Sequence, residues 1–473
     1  MSFAKNILMS LPEVRGPTEK KLPFKTKLKW TLIVLLAFFV LGVIPLYGLS
    51  ENALSQFEFL SIILAAKFGS IISLGIGPIV TASIVLQLLT GSGLLKLDTT
   101  THEGRMFFQG LQKLLVIFFI IFEALIYVLM GGLSPSTSLP STEFRIMQLI
   151  IVAQLVLGGI LILFMDEVIS KWGFGSGVSL FIAAGVASEI IIKAFSPLTQ
   201  SGNFAFGTSE APVGKVWVLI QSLMKGSLNS AAKAFAAIAA TIIIFIMAVY
   251  TQAMKVEIPL SFGRIRGHGI RWPLRFFYTS NIPVILTSAL IANLQLFARL
   301  LEKWGHPFLG TFSGNSPASG IVLWLHSPNL PETIIDGIIN SWSAFISILS
   351  HSLVYILIMV GGAVLFSFFW MQTAGMDASS QARQIMASGL QIPGFRRDER
   401  VVESLLSRYI LPLTIMGGAT VGILAALADL MGSLTHGTGL LLTVMIIYRL
   451  YEDIAQQHMM DMYPGLRKMM GGE

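Results

Sequence analysis

No cysteine occurs among the 473 residues, which excludes disulfide frameworks, thiolate metal sites and cysteine nucleophiles. Charge is also scarce: Asp, Glu, Lys and Arg make up 12%, against roughly 25% in a soluble domain. A chain so poor in charge and 54% hydrophobic cannot cover a globular surface of this size with polar groups. Its mean hydropathy of +0.75 fits a bilayer as solvent, so soluble-enzyme, disordered and fibrous classes fall away. The phosphate-loop pattern G-x-x-x-x-G-K-[ST] is absent, which excludes nucleotide hydrolysis by that route. His102-Glu103 lacks the second histidine that would hold zinc on a helix, and Gly173-Phe-Gly-Ser-Gly177 is too compressed for a dinucleotide turn. The seven histidines are scattered. No set of side chains converges on catalysis, so neither enzyme, cofactor nor metal is expected.

What is present is a series of long apolar runs. A membrane-spanning helix needs about 20 mostly apolar residues. Clear runs lie at 30–47, 111–133, 146–165, 231–249, 352–370 and 410–430, with weaker ones at 74–89, 178–194 and 282–298. A short tenth, 437–451, ends close to Arg449. The first run follows a basic segment but is long and lacks a small-residue cleavage site, so it reads as an anchor and not as a cleaved signal peptide. Ten spans put both termini on one side. Under that topology 24 of the 32 Lys and Arg fall on the side of the termini. Cytoplasmic loops collect these residues, so both termini are expected to be cytoplasmic.

One apolar segment does not fit the series. Phe57–Phe68 holds about 12 residues, which as a helix rise about 18 Å, too little for a hydrocarbon core near 30 Å. It must be re-entrant, interfacial or packed inside protein, because a broken helix exposed to lipid would leave backbone groups unsatisfied. Among charged residues within the runs, only Glu123 sits mid-span; Asp166, Glu167 and Asp429 fall at span ends. An intramembrane carboxylate marks a functional site by default, with a plain interhelical hydrogen bond as the alternative. Two basic loops, 253–277 and 372–408, interleave arginines with aromatics, glycines and prolines. They suit a phosphate backbone or an acidic surface, or simply follow from the topology.

Several motifs in order resemble those of the SecY family of protein-conducting channels. They are Gly75-Ile-Gly-Pro-Ile-Val-Thr-Ala-Ser-Ile-Val-Leu-Gln-Leu-Leu89, Gly175-Ser-Gly-Val-Ser-Leu-Phe-Ile182, Tyr278-Thr-Ser-Asn-Ile-Pro-Val-Ile285 and Gly437-Thr-Gly-Leu-Leu-Leu-Thr-Val444. The loops around Val256-Glu-Ile-Pro-Leu260 and Ser388-Gly-Leu-Gln-Ile-Pro-Gly-Phe-Arg396 match as well, and the first of these, with Ile446-Ile-Tyr-Arg-Leu-Tyr451, is more similar to the archaeal form.

The resemblance implies an all-α polytopic membrane protein of ten transmembrane helices. They would form two inverted five-helix halves, residues 1–230 and 231–473, with a short re-entrant plug helix at about 54–70. By position it assigns Phe57, Phe59, Leu60, Ile62, Ile63 and Leu64 to the plug. A pore ring would comprise Ile76, Val80, Val178, Ile182, Ile285 and Leu442. A lateral gate would use Thr81, Glu123 and Asn293, and a cytoplasmic docking surface Arg264, Arg266, Arg396 and Arg397. The function implied is passage of unfolded polypeptide across the cell membrane and lateral release of apolar helices, driven by a bound partner. Implied partners are a SecE-type clamp subunit, a second small subunit of SecG or Sec-beta type, the ribosome, signal sequences and nascent chains, and the bilayer itself. The rival class is an ion-coupled transporter of a small solute. It requires a midplane polar site with ion ligands, and beyond Glu123 and a few amides the spans offer none.

Overall fold

The structure is a computed structural model that describes residues 12–18, 22–49, 69–91, 94–95, 102–129, 132–136, 140–199, 203–205, 210–262, 269–279, 281–313, 316–336, 342–387, 390–391 and 398–462. The plug candidates Phe57, Phe59, Leu60, Ile62, Ile63 and Leu64, and the docking candidates Arg264, Arg266, Arg396 and Arg397, lie outside the described residues.

Helices dominate. In chain order they are α1 (Phe24–Leu41), α2 (Gly77–Gly91), α3 (His102–Leu129), α4 (Ser141–Trp172), α5 (Gly177–Phe195), α6 (Lys215–Lys225) and α7 (Leu228–Gln252). They continue with α8 (Ile282–Lys303), α9 (Ile321–Trp324), α10 (Leu330–Ile335), α11 (Trp342–Thr373), α12 (Ala378–Ala387), α13 (Glu399–Leu430) and α14 (Gly437–Met462). Seven described stretches are long and apolar enough to cross a membrane, on α3, α4, α5, α7, α8, α11 and α13. The other three helices at expected span positions are special cases. α1 carries Lys25, Lys27 and Lys29 in its first turns, α2 has only 15 residues, and α14 bears Arg449, Glu452 and Asp453 in its second half.

Burial sorts the helices. In α8, 72% of the apolar window is enclosed by protein, against 22% in α7. A helix that is apolar all round and enclosed is central, whereas one with exposed apolar faces meets lipid. α8 packs on α2, α11 and α13, α2 packs on α3 and α11, and α14 bridges α5 and α7. One continuous apolar core runs through these contacts.

The sequence reading ends the last span at 451; the helix instead runs to Met462, because charged residues on a helix emerging into water do not stop it. The basic loop 253–277 also contains regular structure. Strands β1 (Lys255–Phe262) and β2 (Gly269–Arg275) form an antiparallel hairpin with Lys255 opposite Arg275. Two further strands, β3 (Phe312–Ser313) and β4 (Ser316–Pro317), pair in the loop after α8. Ser261 and Phe262 pair with β5 (Leu390–Gln391), which joins the two basic loops into one sheet. A second small core of Leu274, Tyr278, Ala382, Ile385, Val402 and Leu406 fastens the sheet to α12 and α13. Tyr278 Oη donates to the Met376 carbonyl at 2.7 Å, and Arg275 meets Glu452 of α14 at 2.7 Å.

Close approach sets the glycines of α4. A Cβ built on Gly158 would lie 1.9 Å from the Ile71 carbonyl oxygen, a backbone atom that cannot rotate away. Gly158→Ala should therefore destabilise the detergent-solubilised protein by about 1–3 kcal/mol, the usual cost of overpacking. Gly361→Ala on α11, where nothing lies within 4 Å, should leave the thermal midpoint unchanged or slightly raised. Equal midpoints for the two variants would contradict this packing.

Candidate pore and lateral seam

Ile76 and Val80 flank the start of α2. The chain reaches them through Leu46 and Ile71, whose amides donate to the carbonyls of Gly69 (2.7 Å) and Ile44 (3.1 Å), followed by a series of turns over 71–76. Val80 N then closes the first helical turn on the Ile76 carbonyl at 3.0 Å. Val178 is the second residue of α5, with Ile182 one turn further on. Ile285 sits in the first turn of α8, its amide bonded to the Asn281 carbonyl at 3.2 Å, and Leu442 in the second turn of α14. All six expected ring residues thus lie just before a helix start or within its first six residues. Five are buried and Val178 is half-buried, packed on the same apolar core. None is exposed on the outer surface of the bundle.

A cavity of about 440 Å³ lies among α2, α3, α4, α5, α8, α11 and α14. Val80, Val178 and Ile285, from three different helices, lie on its wall, and Arg449 and Asp453 stand at its other end. The remaining three, Ile76, Ile182 and Leu442, are within the core and do not line this cavity.

The three expected gate residues form one hydrogen-bonded chain across three helices. Asn293 Nδ2 on α8 donates to Thr81 Oγ1 on α2 at 2.9 Å. The Thr81 hydroxyl in turn reaches Glu123 Oε1 on α3 at 3.0 Å, and also the Gly77 carbonyl at 2.9 Å. Glu123 and Asn293 are buried. Two residues further along α2, Ser83 Oγ accepts from Gln112 Nε2 of α3 at 3.0 Å. The intramembrane carboxylate is therefore spent on an interhelical bond.

Sequence reasoning left Asp166 and Asp429 at span ends without a role. Asp166 Oδ1 accepts from Val178 N at 3.0 Å, and Asp429 Oδ1 accepts from Thr438 N at 2.7 Å. Tyr355 Oη of α11 also donates to Asp429, at 2.7 Å. The signal available was the Gly-x-Gly pairs at 175/177 and 437/439, which mark helix starts placed tight against a neighbour. Beside the second pair, burial pushes the His436 pKa down to about 3, with Lys193 and His326 adding repulsion, so this imidazole is neutral.

The helices and their apolar faces define a polytopic α-helical membrane protein with a cavity whose wall carries three of the expected ring residues. Comparison with known proteins narrows this. The family profile described as SecY matches residues 70–451, and that of the plug domain of Sec61p matches residues 36–69. The protein translocase subunit SecY of Methanothermobacter thermautotrophicus is 48% identical, covering 98% of this chain and 97% of its own. A solved structure described as a protein conducting channel is 39% identical with a TM-score of 0.80, covering 97% and 98% of the two chains. Sec61 in the canine ribosome-channel complex of the endoplasmic reticulum is also 39% identical, with a TM-score of 0.77 and the same coverage. The chain belongs to the SecY family, and its relatives here are described as a translocase subunit and channels rather than as enzymes.

The seam is weakly polar, since interhelical hydrogen bonds in membranes average about 0.6 kcal/mol. A double-mutant cycle of Thr81→Val and Asn293→Ala should give a coupling of about that size in thermal or denaturant unfolding. Coupling beyond about 2 kcal/mol, above the largest values for such pairs, would contradict a weak seam.

Proposed function

We propose that the chain is the pore-forming subunit of a protein translocase, a passive channel that threads unfolded polypeptide outward and releases apolar helices sideways into lipid. The observation that carries this reading is the meeting of Val80, Val178 and Ile285, from three helices, on the wall of one cavity. Ile76, Ile182 and Leu442 are buried in the adjoining core and complete the ring. Branched aliphatics offer no hydrogen bond to a passing peptide, and when empty they disfavour water and ions, so the ring gates partly by dewetting. The plug, residues 54–70, closes the outer funnel at rest; the match of residues 36–69 to the Sec61p plug domain supports it.

Lateral release occurs between α2/α3 and α8/α11. The Asn293–Thr81 bond crosses that seam, with Glu123 of α3 behind Thr81, and an entering segment of many apolar residues outcompetes a bond this weak. The hinge lies opposite, between halves 1–230 and 231–473. The joined basic loops dock the ribosome through Arg264, Arg266, Arg396 and Arg397; the description of the canine relative in a ribosome complex supports this. Arginine suits RNA phosphates through its planar donor fork. The ribosome or another bound partner supplies the energy, and a SecE-type clamp and a second small subunit complete the complex. The excess of Lys and Arg on the side of the termini supports cytoplasmic termini in the cell membrane.

Replacing Ile76, Val80 and Ile285 together with glycine should make the resting channel leak ions in planar bilayers, and unchanged conductance would refute the ring. Reversing the charges of Arg264 and Arg396 should weaken ribosome binding and flatten its dependence on salt. Equal binding by the reversed variant would mean that these loops are basic for topology alone.

A further inference from the structure

Two helices carry half of the proposed ring: α5 holds Val178 and Ile182, and α14 holds Leu442. Each begins inside the protein, and each begins against the last turns of the helix before it. The two junctions are built alike. On α4, Asp166 turns its carboxylate to the first amides of α5, accepting from Val178 N at 3.0 Å and from Gly177 N. On α13, Asp429 does the same for α14, accepting from Thr438 N at 2.7 Å and from Gly437 N, with the Thr438 hydroxyl also bonded to it. A Cβ on Gly177 would stand 2.6 Å from Asp166 Cα, and one on Gly437 would stand 1.9 Å from the Ala428 carbonyl carbon. Only glycine lets either helix start so close. Counting inward from each glycine, the fifth residue is Ile182 in one case and Leu442 in the other.

From this shared construction we infer that Asp166 and Asp429 are positioning residues for the pore ring, fixing the axial and rotational setting of α5 and α14. The inference rests on the ring reading above. Four amides at a helix start lack intrahelical partners, and a carboxylate satisfies them with charge-assisted bonds that also match the positive end of the helix dipole. Such a bond is directional, so it holds the helix at one height. The two junctions stand in the same relation to their helices but belong to different halves. Asp166 lies on the wall of the large cavity, whereas Asp429 lines a separate pocket beside His326, His436 and Tyr355, and ten alternating spans put the two turns on opposite sides of the membrane. The ring is thereby held from both faces of the membrane. Tyr355 extends the second junction to α11, a helix of the lateral seam.

The test is the conductance of resting channels, with the full-length chain reconstituted in planar bilayers beside its small partner subunits. Asp166→Ala and Asp429→Ala should each raise the leak about tenfold, the effect of losing one charge-assisted hydrogen bond. Asp166→Asn and Asp429→Asn should stay within about twofold of the parent, because the amide oxygen still accepts a backbone N–H. If asparagine leaks as much as alanine, an acceptor on these amides does not set the helices and the inference is wrong. Should the alanine variants fail to insert, the absence of native cysteine allows a covalent substitute, Asp429→Cys with Thr438→Cys. That protein should be tight when oxidised and leaky when reduced, within one sample, and a leak insensitive to reductant overturns the inference. Tight aspartate variants beside a leaking ring-glycine variant would sink the positioning role alone. If the ring-glycine variant is tight too, the ring reading falls and takes this inference with it.

Discussion

A helix that begins inside a membrane protein, rather than at its surface, leaves its first amides with neither water nor a preceding turn to bond them. Among the described residues, α2, α5, α8 and α14 have buried residues in their first two positions, Gly77, Gly177, Pro283 and Thr438. Much of the architecture follows from satisfying those starts. Pro78 and Pro283 remove a donor where none could be paired. Turns over 71–76 lead the chain into α2, and Asp166 and Asp429 supply acceptors for α5 and α14. Aliphatic side chains sit at the same starts, and three of them, Val80, Val178 and Ile285, meet on the wall of one cavity. The proposed apolar ring and these buried helix starts thus draw on the same short stretches of chain.

The seam between α2/α3 and α8/α11 differs in kind. Instead of a carboxylate held on backbone amides, it is crossed by a side-chain hydrogen bond from Asn293 to Thr81, with Glu123 of α3 behind Thr81 on its own side. A weak bond between the halves suits the lateral release proposed above. Glu123, the one acidic side chain in mid-span, accepts from the Thr81 hydroxyl at 3.0 Å.

Hydropathy made most of the membrane helices legible, since about 20 apolar residues have few other uses. Their packing was not legible: the six ring positions look like any other aliphatic in a span, and only a family resemblance selected them. The full length of α14 was missed because hydropathy reports where lipid ends, not where a helix ends. The β1–β2 hairpin was missed because Pro259 and Pro273 sit inside its strands and read as loop. Asp166 and Asp429 were visible as carboxylates at span ends, yet the partner of each is a backbone amide after a turn, and no periodicity records such a contact. The plug and the four docking arginines remain readings of sequence and family alone.

The central claim is that a polymer passes through the aliphatic constriction. Its most direct test places a photo-crosslinking residue at Ile182 and stalls a nascent chain in the reconstituted complex. The account predicts adducts between Ile182 and successive residues of the chain as its length grows. Absence of such adducts at every length, together with solute uptake driven by an ion gradient in the same liposomes, would contradict it.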